Sequence, residues 1–387
     1  MINRKELEER EKYLLKPYAC FSNNYERLLS SNVILTPHPL RTEFQRDRDR
    51  ILHSKSFRRL EYKTQVYLTE NGDHLRTRLT HSLEVSQIAR TIALQLGLNT
   101  DLIEAISLGH DVGHTPFGHC AERSLNKLLQ ADGYSGFKHN VQSVIIFYNL
   151  EKKYEYNGLG LTIAVLEGIL KHTKFNITLP SFFDRLYIDK EYSITLEGQV
   201  VAIADEIALI THDLDDYLRY NIIPLEEFLN HEIFEKISQF TETVYNREFK
   251  NLINLDIDRE KEVIIRCLLD YLITTIIKES TEVLSDNLIA YELDKTYIDY
   301  TYSKEIVESF QKHIEHKCIS EYRVQQMDKR GVEVVNTLYE YYKTFPNKLP
   351  PNTYEKYIVD GIPTIANYIS GMTDRYAKQE YSNIIRL

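Results

Sequence analysis

An all-α fold, a helical core followed by additional C-terminal helices, is predicted by three features of the sequence. Helical periods of apolar residues dominate from Ile51 to Arg219, Gly and Pro punctuation concentrates between Gly109 and Gly118, and amphipathic stripes return in the C-terminal third. The 387 residues, 43% of them hydrophobic, suffice for one large helical core or two smaller ones sharing an interface. Cys20, Cys120, Cys267 and Cys318 lie far apart with no CxxC pair. That usage excludes a disulfide framework and a zinc knuckle, and it suits a reducing cytosol.

Residues 1–50 read as an N-terminal arm, extended or with short helices, because Pro17, Pro37 and Pro39 interrupt each periodic stretch. Such a segment can dock on a neighbouring subunit. Residues 51–220 form the core block. Within it, 173–196 around Pro180 lack a clean period and are expected to form a loop or short hairpin. Residues 221–387 are expected as a C-terminal helical region packed on that core. Val263, Ile264, Cys267, Leu268 and Tyr271 make one apolar stripe there, and Val324, Met327, Val334, Leu338 and Tyr341 another.

The formal net charge of −10 argues against a broad nucleic-acid footprint and leaves single-stranded nucleic acid a weak prospect, but it permits a local phosphate site. Arg46, Arg48, Arg50, Arg58, Arg59, Lys63, Arg76 and Arg78 cluster in one region, which points to a small polyanionic ligand. No apolar run approaches the roughly 20 residues of a membrane span, and Met1–Glu6 is charged rather than leader-like. The expected location is the cytoplasm, with no membrane partner.

The chemistry gathers on three expected helices. From Thr80 to Leu96, Val85, Ile88, Ala89, Ile92 and Leu96 form an apolar stripe, and His81 falls one turn before Val85 on that face. A second helix opens at Asn99-Thr100-Asp101, and His110 extends its inward stripe of Leu102, Ile103 and Ile106. Asp111 follows at once, then a glycine-punctuated loop to His119. A single inward histidine is more often a hydrogen-bonded core residue than a ligand. Two of them beside an aspartate make a mixed nitrogen and oxygen set suited to a borderline divalent metal such as Mn, Fe, Co or Zn. The third helix, Glu197 to Arg219, turns Val200, Ala204, Ile207, Thr211 and Leu214 to a core. Asp205, Leu209 and Asp213 line a neighbouring stripe. A carboxylate among Val, Ala and Ile is costly to bury unpaired, so Asp205 is the candidate fourth ligand. Asp213, roughly 12 Å further along the axis, is placed to hold another part of the same ligand.

His81, His110-Asp111 and Asp205 resemble the H, HD, D signature of the HD phosphohydrolases. Longer stretches resemble the deoxyguanosine triphosphate triphosphohydrolase-like proteins: Lys63-Thr64-Gln65-Val66, Gly72-Asp73-His74, Arg76 to Val85, Gly109 to His119, Phe137-Lys138-His139-Asn140, Ala204 to Ala208, and Gly371 to Ala377. The resemblance implies an HD-domain helical core and cleavage of deoxynucleoside triphosphates, dGTP among them, to deoxynucleoside and inorganic tripolyphosphate. It makes His81, His110, Asp111 and Asp205 the ligands of one divalent metal (Mn, Mg, Fe, Co or Zn, with Mn or Mg supporting activity). His119, Glu122 and His139 become the proton-handling cluster, and Gln65, Arg78, Lys171 and Asp213 the substrate contacts.

In that scheme Arg78 grips phosphate, with Lys63 or Lys171 beside it, and Asp213 approaches the sugar 3′-hydroxyl. His114 and His172 are supporting residues, His74 is unassigned, and the Arg46–Arg59 run is either structural or an effector-nucleotide contact. The resemblance also implies a homo-oligomer, commonly a hexamer, and in some members a dNTP effector. Leu209 departs from the pattern, which has a tyrosine there, and leaves substrate choice open. The alternatives are an HD phosphohydrolase of nucleoside monophosphates or cyclic nucleotides, and a weakly active dNTP sensor.

Overall fold

The computed structural model describes residues 2–31, 33–65, 76–220, 222, 224–246, 248–249, 257–284 and 297–385. Among these there is no β-strand, only two isolated bridges, Arg27 with Thr162 and Thr64 with Thr77. The Gly72-Asp73-His74 motif and Val66 lie outside the described residues. No helix among the described residues is long and apolar enough to cross a membrane.

Residues 1–50 behave as an arm only over α1 (Arg4–Leu14), which is capped by Asn3 and buries nothing. Tyr18, Ala19, Cys20 and Leu28 are buried in the main core, and α2 (Glu43–Leu52), capped by Thr42, sinks Phe44 and Ile51 into it. Val33 and Ile34, by contrast, stay exposed ahead of Pro37. Arg27 ties the segment down, reaching Glu43 and Asp47 at 2.5 Å each.

The main core joins α4 (Arg78–Leu96), α5 (Thr100–Gly109), α8 (Ile163–Lys171) and α9 (Leu196–Arg219), after the short α3 (Lys55–Arg59). Thr77 caps α4, which starts two residues before the expected Thr80, and Gly97 ends it at φ +67°. Asn99 caps α5 through Asp101 N and Leu102 N. Every core residue expected on α4 and α9 is buried: Val85, Ile88, Ala89, Ile92 and Leu96, then Val200, Ala204, Ile207, Thr211 and Leu214. Residues 173–196 form a loop with one 3-10 turn, Ser181–Leu186, and no hairpin.

The C-terminal part divides between two cores. In α10 (Leu225–Leu229), α11 (Glu232–Tyr245), α12 (Ile257–Val283) and α13 (Lys304–Ser320), residues such as Phe228, Ile233, Leu268 and Phe310 join the main core. By contrast α14 (Tyr322–Thr344), α15 (Pro351–Asp360), α16 (Pro363–Ser370) and α17 (Asp374–Ile385) build a second cluster, with Val335, Leu338, Ile365 and Ile369 buried against Leu125 and Leu129. Those two leucines belong to α6 (Gly118–Ala131), a helix of the central block. The chemistry-bearing segments 110–122 therefore run along the seam between the two cores. Cys20, Cys120 and Cys267 are free and buried, in line with a chain built without disulfides.

Candidate active site

His81 stands on the first turn of α4, His110 closes α5, and Asp205 lies midway along α9. Packing of α4 against α5 and α9 brings the three side chains together. His81 Nε2 is 2.9 Å from Asp205 Oδ1. His110 Nε2 is 3.6 Å from Asp205 Oδ1 and 3.6 Å from Asp111 Oδ1. All four expected ligands thus converge.

His110 also tests whether a metal fits. Its Nδ1 donates to Ser107 O at 2.7 Å, and Nε2, the nitrogen that offers a lone pair once deprotonated, is buried with no hydrogen-bond partner. Burial opposes its protonation, while Asp111 and Asp205 push the imidazole up to about 9 where no cation replaces that proton. A buried acceptor facing two carboxylates is what a divalent cation would satisfy. Burial alone would raise the Asp205 carboxyl, yet His110 and His81 hold it well below its usual range. Burial likewise opposes ionisation of Asp111, and His114, Arg78 and His110 outweigh it.

Arg78 is placed differently from the expectation that it grips phosphate. It is 1% exposed, and its Nη1 donates to Asp111 Oδ2 at 2.7 Å. Its direct partner is one of the four candidate metal ligands. His81 is supported by two residues that the sequence reading passed over: its Nδ1 is 3.4 Å from His212 Nδ1, and His212 Nε2 is 2.5 Å from Glu84 Oε2. The signal was available, since Glu84 lies one turn from His81 and His212 two turns from Asp205.

Beside the metal cluster lies a second group of side chains. The loop from Asp111 to Phe117 folds tightly because Gly113 lies against α7 (His139–Ile145), where an added Cβ would sit 2.2 Å from His139 O. Phe117 then takes φ +63° and starts α6. His119 and Glu122 share the first turns of α6. Glu122 Oε2 is 2.7 Å from His139 Nδ1 and 3.8 Å from His119 Nδ1. Burial would raise this carboxyl, but His139, His119 and His114 hold it far below its usual range.

His139 Nε2 is 3.1 Å from His172 Nε2, and His172 spends its Nδ1 proton on Ile169 O at 2.7 Å. His139 thus stands between the Glu122 carboxylate and the His172 ring. The His114 ring stacks on His139 at 3.8 Å, and its Nε2 meets Asp111 Oδ1 at 3.0 Å, linking the two groups. Ligand atoms of His114, His119, Glu122 and His139, and separately of His110, Asp111 and His172, lie close enough together to hold an ion.

His119 is the exposed member of its group and opens on a cavity of about 660 Å³ lined also by Gln65, Leu209 and Asp213. Gln65 Oε1 is buried there without a partner. Burial first, then Asp216 and Glu315, push the Asp213 carboxyl up to about 8. Glu315, Gln325 and Asp328, from the C-terminal helices, line the same cavity and were not anticipated.

Two expected cations are engaged elsewhere. Lys171 Nζ donates to Tyr187 O at 2.6 Å and Tyr192 O at 3.1 Å and pairs with Glu167 at 3.3 Å, on a separate cavity of about 480 Å³. Lys63 Nζ donates to His114 O and Ser370 O. Lys138 was quoted only within a motif, yet its Nζ lies 3.5 Å from Glu122 Oε1. Much of the basic run is structural: Arg46 meets Glu43, Arg48 meets Asp101, and Arg50 Nη1 donates to Tyr156 Oη.

Comparison with known proteins agrees with this geometry. The HD domain family model matches residues 78–210, and the phosphohydrolase-associated domain model matches 303–383. A Thiobacillus denitrificans protein is 38% identical over 374 residues, covering 95% of this chain and 96% of its own length. A Ralstonia pickettii protein is 39% identical over 377 residues (96% and 94%), and a Rickettsia felis protein 37% identical over 374 residues (91% and 94%). All three are named deoxyguanosinetriphosphate triphosphohydrolase-like proteins. A chain aligned along nearly its whole length with such relatives, with an HD domain that spans His81, His110, Asp111 and Asp205, belongs to the deoxyguanosinetriphosphate triphosphohydrolase-like family of HD phosphohydrolases.

Proposed function

We propose that this protein hydrolyses deoxynucleoside triphosphates, dGTP among them, at the α phosphorus, releasing deoxynucleoside and inorganic tripolyphosphate. One observation carries the reading: the unpartnered Nε2 of His110, between two carboxylates, lies beside a Glu122–His139 pair whose exposed neighbour His119 opens on a cavity of nucleotide size. The names of the relatives support the substrate class.

His81, His110, Asp111 and Asp205 would hold the metal. When bound, a divalent metal supplies Lewis acidity toward a phosphoryl oxygen and lowers the pKa of water for attack near neutral pH. Arg78 keeps Asp111 ionised and oriented. His119 has its Nδ1 toward Glu122, which leaves Nε2 to hold a proton for the departing 5′-oxygen. As water oxygen bonds to phosphorus and the phosphorus–O5′ bond breaks, that proton completes the deoxynucleoside hydroxyl, and the proton the water gives up passes to solvent. Gln65 Oε1 and the Asp213 carboxyl line the cavity where the nucleoside would rest. Leu209 supplies no hydroxyl there. Lys171 is held by Glu167 and two carbonyls, so Lys138 replaces it as the candidate cation near phosphate.

The test is to incubate the protein with each dNTP, singly and in pairs, across Mn, Mg, Fe, Co and Zn, and to separate the products. Deoxynucleoside plus tripolyphosphate, lost in His110→Ala, is expected with Mn or Mg foremost. Activation by a second dNTP would reveal an effector, and sedimentation of the same samples would test the proposed cytoplasmic homo-hexamer. Diphosphate or monophosphate products would point to another HD phosphohydrolase chemistry. Binding without turnover would point to a sensor.

A further inference from the structure

His114, His119, Glu122 and His139 make a donor set of their own, three imidazoles and one carboxylate, that shares no residue with His81, His110, Asp111 and Asp205. The Nδ1 atoms of His139, His119 and His114 lie 2.7, 3.8 and 3.9 Å from Glu122 Oε2. Donors on a tetrahedral ion with bonds of about 2.0 Å stand about 3.3 Å apart. Shifts of about 1 Å or less at the side-chain ends therefore bring these four onto one centre, since their ligand atoms all lie within 4.8 Å of one another.

A second observation points to an ion. His114 is 1% exposed, and its Nδ1 is buried with no hydrogen-bond partner. Its Nε2 lies 3.0 Å from Asp111 Oδ1, and a carboxylate oxygen only accepts, so in the neutral ring the proton is on Nε2 and Nδ1 offers a lone pair. That lone pair faces the Glu122 carboxylate, an arrangement that a cation between them would relieve. His139 is braced in the same manner, its Nε2 being 3.1 Å from His172 Nε2. Partners on the far nitrogen are what orient metal-binding imidazoles. His119, the exposed member, gives an ion its way in from the 660 Å³ cavity.

We propose that this cluster is a second metal site, selective for Zn, Co and other imidazole-seeking divalent ions, and that filling it stops the reaction. Three imidazoles favour such ions, whereas Mg and Mn favour oxygen donors, so Mn alone fills only the first cluster. One carboxylate in place of two, with Lys138 Nζ 3.5 Å from Glu122 Oε1, makes the second site the weaker one. Binding there releases any Nδ1 protons to solvent. His119 then keeps its Nε2 proton only as a neutral imidazole, a far weaker acid than imidazolium, and the departing 5′-oxygen goes without its donor. The loss of turnover rests on the proton-handling role proposed above; binding of the ion does not.

The test titrates the metal-free full chain with Co(II) or Zn and counts bound ions by native mass spectrometry. The wild type should take two, the weaker Co(II) ion showing the strong visible absorption of tetrahedral coordination, while Mn should stop at one. His110→Ala should keep the second ion. His119→Ala, at an exposed position, and His139→Gln should keep the first and bind the second roughly 10–100-fold more weakly. In excess Mn, added Zn should lower kcat of the wild type with Mn still bound by electron paramagnetic resonance. A single ion in the wild type, or a second ion held equally well by both His119→Ala and His139→Gln, overturns the site. Inhibition that follows Mn leaving the chain overturns its regulatory part. The product assay in Mn alone tests hydrolysis by itself, so an inactive chain that binds the second ion is told apart from an active one that does not.

Discussion

Arg78 and Asp111 form a buried ion pair, Nη1 to Oδ2 at 2.7 Å, between the first residue of α4 and the aspartate that follows His110. This pair ties the arginine to a carboxylate of the candidate metal site, while its Nε is buried without a partner. Removing one partner of a buried pair strands the other charge, at a cost of about 3–5 kcal/mol. Arg78→Ala is therefore expected to lower stability in urea unfolding and to weaken metal binding by roughly 10–100-fold. Unchanged metal affinity with reduced turnover alone would return Arg78 to the phosphate role.

Metal removal follows the same logic. An ion that binds only the folded state stabilises it by about 2.7 kcal/mol at one hundred times its Kd. Thermal melting should therefore rise on adding Mn and fall in chelator. In His110→Ala the metal-dependent shift should vanish, because the unpartnered Nε2 that the cation satisfies is gone. A shift that survives this substitution would place the ion elsewhere, for instance among His114, His119, Glu122 and His139.

How much of this was legible in the sequence depends on the range of each contact. The inward stripe of α4, the Asn99 cap and the histidines at their ends follow from spacing within one helix, and all appear as expected. His81 and Asp205 are 124 residues apart, so periodicity could not join them; the cost of burying a lone carboxylate made Asp205 a candidate, and the family resemblance supplied the full set. The union of α6 with the C-terminal helices was not legible. Its contacts, such as Tyr339 Oη to Asp132 Oδ2 at 2.8 Å, span 207 residues and leave no periodic trace. Lys171 misled for another reason: it is captured by carbonyls of an aperiodic loop.

Glu122 should matter through its charge. It holds His139 at 2.7 Å, and His119 lies within its reach. Glu122→Gln keeps the shape and removes the carboxylate that organises both imidazoles. The expected loss in kcat is roughly 10²–10⁴-fold, the usual range for a proton-transfer step, with metal stoichiometry intact. A pure KM effect in steady-state kinetics would instead make Glu122 a substrate contact.

The hinge of the catalytic loop can be tested at Asp374, whose Oδ1 accepts from Phe117 N and whose Oδ2 accepts from Thr64 N and Oγ1. Phe117 is held at φ +63°, a conformation that costs of order 1–3 kcal/mol for a non-glycine residue and persists only under such restraint. Asp374→Ala should therefore lower kcat while sparing metal binding, and it should lower Tm because buried donors lose their acceptor. Retention of full kcat would mean that the backbone turn holds itself.

Asp213 gives the pH prediction. Burial, Asp216 and Glu315 raise its carboxyl from 3.8 to about 8, so near neutrality it is largely protonated in the folded chain and ionised in the unfolded one. For a group whose folded pKa is raised, the contribution to stability is fully present below the unfolded value. It is lost as pH climbs from about 4 to about 8, and the loss is complete above that window. Asp213→Asn mimics the protonated acid and removes this dependence. The variant should match the wild type near pH 4 and melt higher near pH 9. If the protonated group also donates to the sugar, wild-type KM should rise above about pH 8 while that of the asparagine variant stays flat. Equal pH slopes in melting would show that Asp213 titrates as an ordinary surface carboxylate. The partial exposure of its side chain would then have outweighed the two acidic neighbours.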